Sequence, residues 1–204
     1  MEEQSLFHQL LEKGLRPAFM NAYPPVFFER TARTNRWSCS TLMTRSSGLP
    51  LRSTEDIRQG LALSAEIFGD YWRSKLGIDL PRREPAELAD ILIQAADTHA
   101  LVMFEYYLTD KAGHARNAAY AHEVLSRLDR LLYALMKGLS GPGYHHTLVL
   151  CSDHGNLEDL STKSHTRNPV PLVATGPQAR YFHEAGNITD VPRAMLTAAA
   201  DAHP

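Results

Sequence analysis

The chain has 204 residues, 44% hydrophobic and 22% charged, a size and composition that suit a single globular domain, residues 1–204, with a core of its own. A formal net charge of −2 gives no electrostatic footprint for nucleic acid or an anionic membrane, so neither is expected as a partner. Two cysteines exclude a disulfide framework, no apolar run reaches membrane-spanning length, and Met1–Gln4 is acidic where a secretory leader would be basic, so a soluble, cytoplasmic protein is the default expectation.

Leu6, Phe7, Leu10 and Leu11 recur at helical spacing, and Gly14 stands where a glycine would end that helix. Pro17–Ala22 reads as a short strand, and Pro24-Pro25 opens a second helix through Phe27, Phe28 and Thr31. The hydroxyl-rich stretch Ser38–Gly48 follows. A hydroxyl at a helix N-terminus beside a metal can serve as a nucleophile, which makes Thr41 a candidate, although a capped surface helix is the preferred reading. Ser53 with Asp56 has the spacing of an N-terminal capping pattern. Leu61, Leu63, Ile67 and Phe68 then alternate with polar residues as far as Tyr71-Trp72, for which buried packing is expected.

Glu84-Pro85 begins a helix whose inner face is Leu88, Ile91, Leu92 and Ala95. The aromatic-rich run Leu101–Leu108 reads as a strand leading into Thr109–Asp110–Lys111–Ala112–Gly113–His114. Asn117–Leu139 carries the strongest amphipathic pattern, stopped by Gly141–Pro142–Gly143. A strand at Leu148–Cys151, with Cys151 buried in it, discharges into Ser152–Asp153–His154–Gly155–Asn156, and Ser164–His165 follows on a polar loop. A strand at Pro171–Thr175 and a helix at Thr189–Ala200 close the chain. A strand, a long crossover helix and a second strand would form a right-handed βαβ unit with both strand ends on one sheet edge. His145, His146, His183 and His203 fall outside the motif spacings and read as solvated.

Groups that do chemistry in an open α/β sheet collect at the carboxyl ends of its strands, where loops converge on a rigid frame. Asp153 and His154 have that placement, and so, from the other strand, do Asp110 and His114. Alone, Asp-His-Gly is also a common turn sequence; two such pairs with His165 as a fifth candidate make a metal set. Oxygen and nitrogen ligands without thiolate suit zinc or manganese. Glu158 and Asp159 are placed either to orient imidazoles or simply to face solvent.

Across roughly residues 100 to 176, Asp110–His114, Ser152–Asn156 and His165–Pro171 resemble the metal-binding motifs of the alkaline phosphatase superfamily, closest to the cofactor-independent phosphoglycerate mutase and phosphopentomutase branch. The resemblance implies a three-layer α/β/α sandwich with a mostly parallel sheet, here without its first strand, and two divalent metal ions, Mn2+ or Zn2+. It assigns Asp110, His114 and His165 to one ion and Asp153 and His154 to the other. It further implies phosphoryl transfer or phosphate-ester hydrolysis on a small phosphorylated substrate, by a mutase, a phosphatase or a phosphodiesterase, and Arg167 is the preferred phosphate contact. An N-terminal Asp ligand and a Ser or Thr nucleophile complete such sites, and neither is found here. The expectation is therefore a C-terminal portion of a longer protein or a natural truncation, which on its own binds metal with little or no turnover. The alternative is a non-catalytic metal-binding remnant acting as a structural or interaction module.

Overall fold

The computed structural model describes residues 5–141 and 143–203, so Met1–Gln4 and Pro142, which figured in the leader and helix-stop readings, lie outside the described residues. Helix α1 (Leu6–Glu12) buries Phe7 and Leu10 completely, is capped by Ser5 accepting from His8 N, and gives way to Gly14 at φ 74°. The expected strand after it divides into β1 (Pro17–Phe19) and β2 (Asn21–Tyr23). The change of partner falls at Met20, whose N–H donates to Met103 O (2.8 Å) while its carbonyl accepts from Leu63 N (3.0 Å). Thus β1 pairs in parallel with β5 (Leu101–Met103), and β2 lies between β3 (Arg52–Ser53) and β4 (Leu63–Ser64), parallel to both.

Helices α2 (Pro25–Thr34) and α3 (Cys39–Ser46) follow β2, and α4 (Thr54–Arg58) begins at a capping box in which Asp56 accepts from Ser53 N at 2.6 Å. Helix α5 (Asp70–Lys75) buries Trp72, but Tyr71 is 56% exposed, against the expectation that both pack inside. Adjacent helical positions face about 100° apart, so one aromatic of the pair is turned outward. Helix α6 (Pro85–Ala96) lays Leu88, Ile91 and Leu92 against Leu131 and Leu135 of α8 (Ala118–Gly138), and Met20, Leu63 and Ile67 complete that core. Around α1, Phe19 and Ala199 of α9 (Val191–Ala202) form a second cluster.

The strand expected over Leu101–Leu108 leaves its ladder at Met103. Asn21, buried in β2, donates from its amide to Glu105 O and accepts from Glu105 N, both at 2.7 Å, and Leu108 already begins helix α7 (Leu108–Ala115). β6 (Leu148–Cys151) pairs antiparallel with β7 (Leu172–Thr175), and among the described residues no ladder joins it to β5. The two motif-bearing strands are therefore not hydrogen-bonded neighbours of one ladder, although Val102 and Leu148 pack on the same core. Antiparallel pairing follows from the connection, since the chain returns from β6 to β7 without a crossover helix. Cys151 is exposed, because β6 leaves its last position uncovered. Among the described residues three of the four strand pairings run parallel in a mixed helix and strand chain, an α/β fold. Among the described residues no helix is long and apolar enough to cross a membrane.

Candidate metal centre

Asp110 and His114 stand one turn apart on α7 rather than at a strand end, and spacing of i, i+4 puts both side chains on one helix face. His114 Nε2 lies 3.2 Å from Asp110 Oδ1. His165, from the loop between β6 and β7, brings its Nε2 to 3.2 Å from Asp110 Oδ1 and 3.2 Å from His114 Nε2. Donors held about 2.0 Å from a tetrahedral ion are themselves about 3.3 Å apart, so this equilateral triangle has the edge length that zinc-type coordination imposes. The His114 ring is aimed by its other nitrogen, which lies 2.6 Å from Lys163 O; donating there leaves the Nε2 lone pair facing the cluster.

His154 and Asp153 sit beside the triangle. His154 Nε2 is 3.4 Å from Asp153 Oδ2 and 4.0 Å from Asp110 Oδ1, and its ring stacks on His165 at 3.6 Å and 14°. The Asp153 side chain is 82% exposed. His154 Nδ1 and Asn156 Oδ1 are buried without a hydrogen-bond partner among the described residues. The donor set, hard oxygens and imidazoles with open lone pairs, fits a divalent ion.

What holds these donors is polar. Asn156, 4% exposed, donates from Nδ2 to Asp110 Oδ1 at 2.7 Å, so it fixes the same oxygen that the two histidines approach. Gly113 is required beneath it, since a Cβ there would overlap the Asn156 side-chain oxygen. Glu158 ties the His154 and His165 segments together: it accepts from Asn156 N (2.6 Å) and Asn168 Nδ2 (3.0 Å) and from the Thr166 hydroxyl. The Thr166 hydrogen bond is the main reason its carboxyl is held down at about 2. Thr166 N also donates to Gly155 O (2.9 Å), and a Cβ on Gly155 would overlap the Thr166 hydroxyl. Sequence reasoning missed the Asn156 role: the residue stands in the motif, but nothing in its spacing announces a contact 46 positions back.

Thr41 does not join the cluster. It is fully buried, and its polar contacts are all to Ser38: its hydroxyl donates to Ser38 O and its N–H to Ser38 Oγ, so it belongs to the cap of α3. Arg167 is exposed and free of hydrogen bonds and ion pairs among the described residues. Of the histidines read as solvated, His146 is not: its side chain is 13% exposed and its Nε2 lies 2.8 Å from Asp97 Oδ1, where His145 offers a third ligand atom within 4.8 Å. That grouping gathers residues that precede β5 and β6, whereas the Asp110 cluster gathers residues that follow them.

Residues 73–199 match the family described as Metalloenzyme superfamily. Among curated proteins the chain is similar to 2,3-bisphosphoglycerate-independent phosphoglycerate mutases. That of Haloarcula marismortui is 28% identical over 128 residues, covering 57% of this chain and 24% of the relative. That of Prochlorococcus marinus (strain MIT 9313) is 30% identical over 133 residues, covering 55% and 24%. The chain thus spans about a quarter of the length of these relatives. No solved structure matches it significantly.

Proposed function

The chain belongs to the Metalloenzyme superfamily, and from that premise we propose that it carries the metal-holding part of a site for phosphoryl transfer or phosphate-ester hydrolysis on a small phosphorylated substrate. The observation behind this reading is the 3.2 Å triangle of Asp110, His114 and His165. In the proposal these three hold one divalent ion, manganese or zinc, and His154 with Asp153 offers donors to a second. Bound there, such ions supply Lewis-acid polarisation of phosphate oxygens. Asn156 and Glu158 keep the donor atoms in register. Arg167, two residues beyond His165, presents an unengaged guanidinium that can grip two phosphate oxygens.

The test reads the metal rather than turnover. Manganese bound to the full chain raises the relaxation rate of water protons, and inorganic phosphate should lower that enhancement by taking water's place at the ion. In His165→Ala the bound manganese should be lost. Enhancement indifferent to phosphate, or unchanged in His165→Ala, contradicts the proposal. The burial of Thr41 favours a second reading, that this chain alone binds metal without catalysis. Manganese-supplemented assays of an aryl phosphate and an aryl phosphodiester are then expected to show little or no turnover, whereas robust turnover lost in His154→Ala would place a nucleophile among these residues.

A further inference from the structure

A cavity of about 510 Å³ opens between the start of α5, the start of α6 and the N-terminal half of α8. Its size is in the range of small-molecule sites, about 300–1,000 Å³. None of the five candidate metal ligands lines it, so it is a separate place on the molecule. The segment that leads into α7 nevertheless supports its α8 wall, since Tyr106 Oη donates to Val124 O at 2.8 Å.

Charge decides what it can hold. Five arginines line the cavity against three carboxylates, and all three carboxylates are already engaged. Asp70 is shared by Arg73 (2.6 Å) and Arg127 (2.9 Å), Glu123 accepts from Arg127 (3.1 Å), and Glu84 caps α6 through the Glu87 N–H. Arg83 is spent on the carbonyls of Ile57 and Arg58. Arg82 and Arg130 remain. Arg82 makes no hydrogen bond or ion pair among the described residues, and Arg130 lies over the Phe68 ring, 4.7 Å from its centroid, with no carboxylate partner. Guanidinium cannot shed its proton, so these two charges persist in a concave wall that focuses their field. His122 and Ser126 add hydrogen-bonding groups to the same lining.

We infer that this cavity binds a small phosphate monoester between Arg82 and Arg130, without a metal ion. Paired guanidinium forks match the oxygens of a phosphate dianion, and the Phe68 ring offers an apolar surface for the rest of the ligand. The site stands independently of the reading of the Asp110 cluster.

The test is calorimetric titration of phenyl phosphate into the full chain, once in EDTA and once with manganese. One saturable site for the monoester is expected in EDTA, and with manganese the same site should persist at equal affinity beside any binding at the metal centre. Arg82→Ala and Arg130→Ala should each weaken it about tenfold, and the double variant should abolish it. Arg82→Lys should keep part of the affinity, and His165→Ala should keep all of it. The variants remove no ion pair among the described residues, and unchanged thermal melting checks that they fold. Absence of a saturable site in EDTA overturns the inference. Binding in EDTA that survives the double variant, or that disappears in His165→Ala, overturns it equally.

Discussion

The strands at the two ends of this chain are built differently. β1 is buried at every position and β2 at all but Tyr23, while β6 and β7 are buried at none, with Cys151 and Val173 open to solvent. The first two are held by apolar packing, Ala18 in the cluster of Leu63, Leu88 and Leu131, Phe19 with Phe7 and Leu10, and Ala22 with Ile57 and Trp72. The second pair packs only partly buried side chains, Val149, Leu172 and Ala174 on Phe182, Val191, Ala194 and Ala198, and is held besides by its backbone ladder and by a polar clasp across the loop that carries His154 and His165. Binding loops are commonly drawn from the less stable end of a fold, and here the division separates what keeps the chain folded from what arranges its donors.

The largest effect expected from this contrast is on stability. Leu131→Ala empties a fully buried position of the main core and should cost about 2–5 kcal/mol, whereas Val173→Ala, at a position 56% exposed, should stay within about 0.5 kcal/mol. Urea denaturation measures both. Comparable losses from the two would show that Val173 is packed inside rather than open to solvent.

Gly113→Ala should act between these extremes and at the other level. Its Cβ would meet Asn156, so the expected cost is about 1–3 kcal/mol of local crowding, together with a fall in manganese affinity of at least about tenfold as Asn156 is displaced from Asp110. Calorimetric manganese titration checks it. Unaltered affinity would mean that Asn156 does not set the Asp110 carboxylate.

Glu158→Gln should show a small effect that depends on pH. The carboxyl of Glu158 is depressed from an ordinary 4.5 to about 2, so its contribution to the clasp is full above the ordinary value and is lost as pH falls through about 2. The stability difference between the native chain and Glu158→Gln should therefore be present at pH 6 and vanish near pH 2, read from melting curves at low ionic strength. A difference that grows on acidification would reverse the assignment.

Much of this was legible in the residues, for identifiable reasons. α6 and α8 carry long periodic apolar faces, and such patterns survive any tertiary context. The clustering of the candidate donors was legible because Asp110 with His114 and Asp153 with His154 are local groupings. Their setting was not. Leu101–Leu108 looks like one apolar strand, but the Asn21 side chain takes the Glu105 backbone and the run turns into α7, a contact 84 positions apart that no local pattern encodes. The pairing of His146 with Asp97 was hidden in the same way, by a partner remote in the chain, and the exposure of Cys151 by the lack of cover at the end of β6.

The central claim is that Asp110, His114 and His165 together hold one divalent ion. Anomalous diffraction from crystals of the full chain grown with manganese or zinc tests it most directly, because it locates the ion. The predicted result is a peak about 2.0–2.2 Å from Asp110 Oδ1, His114 Nε2 and His165 Nε2. A peak only at Asp97, His145 and His146, or none in the Asp110 cluster at saturating metal, would contradict it.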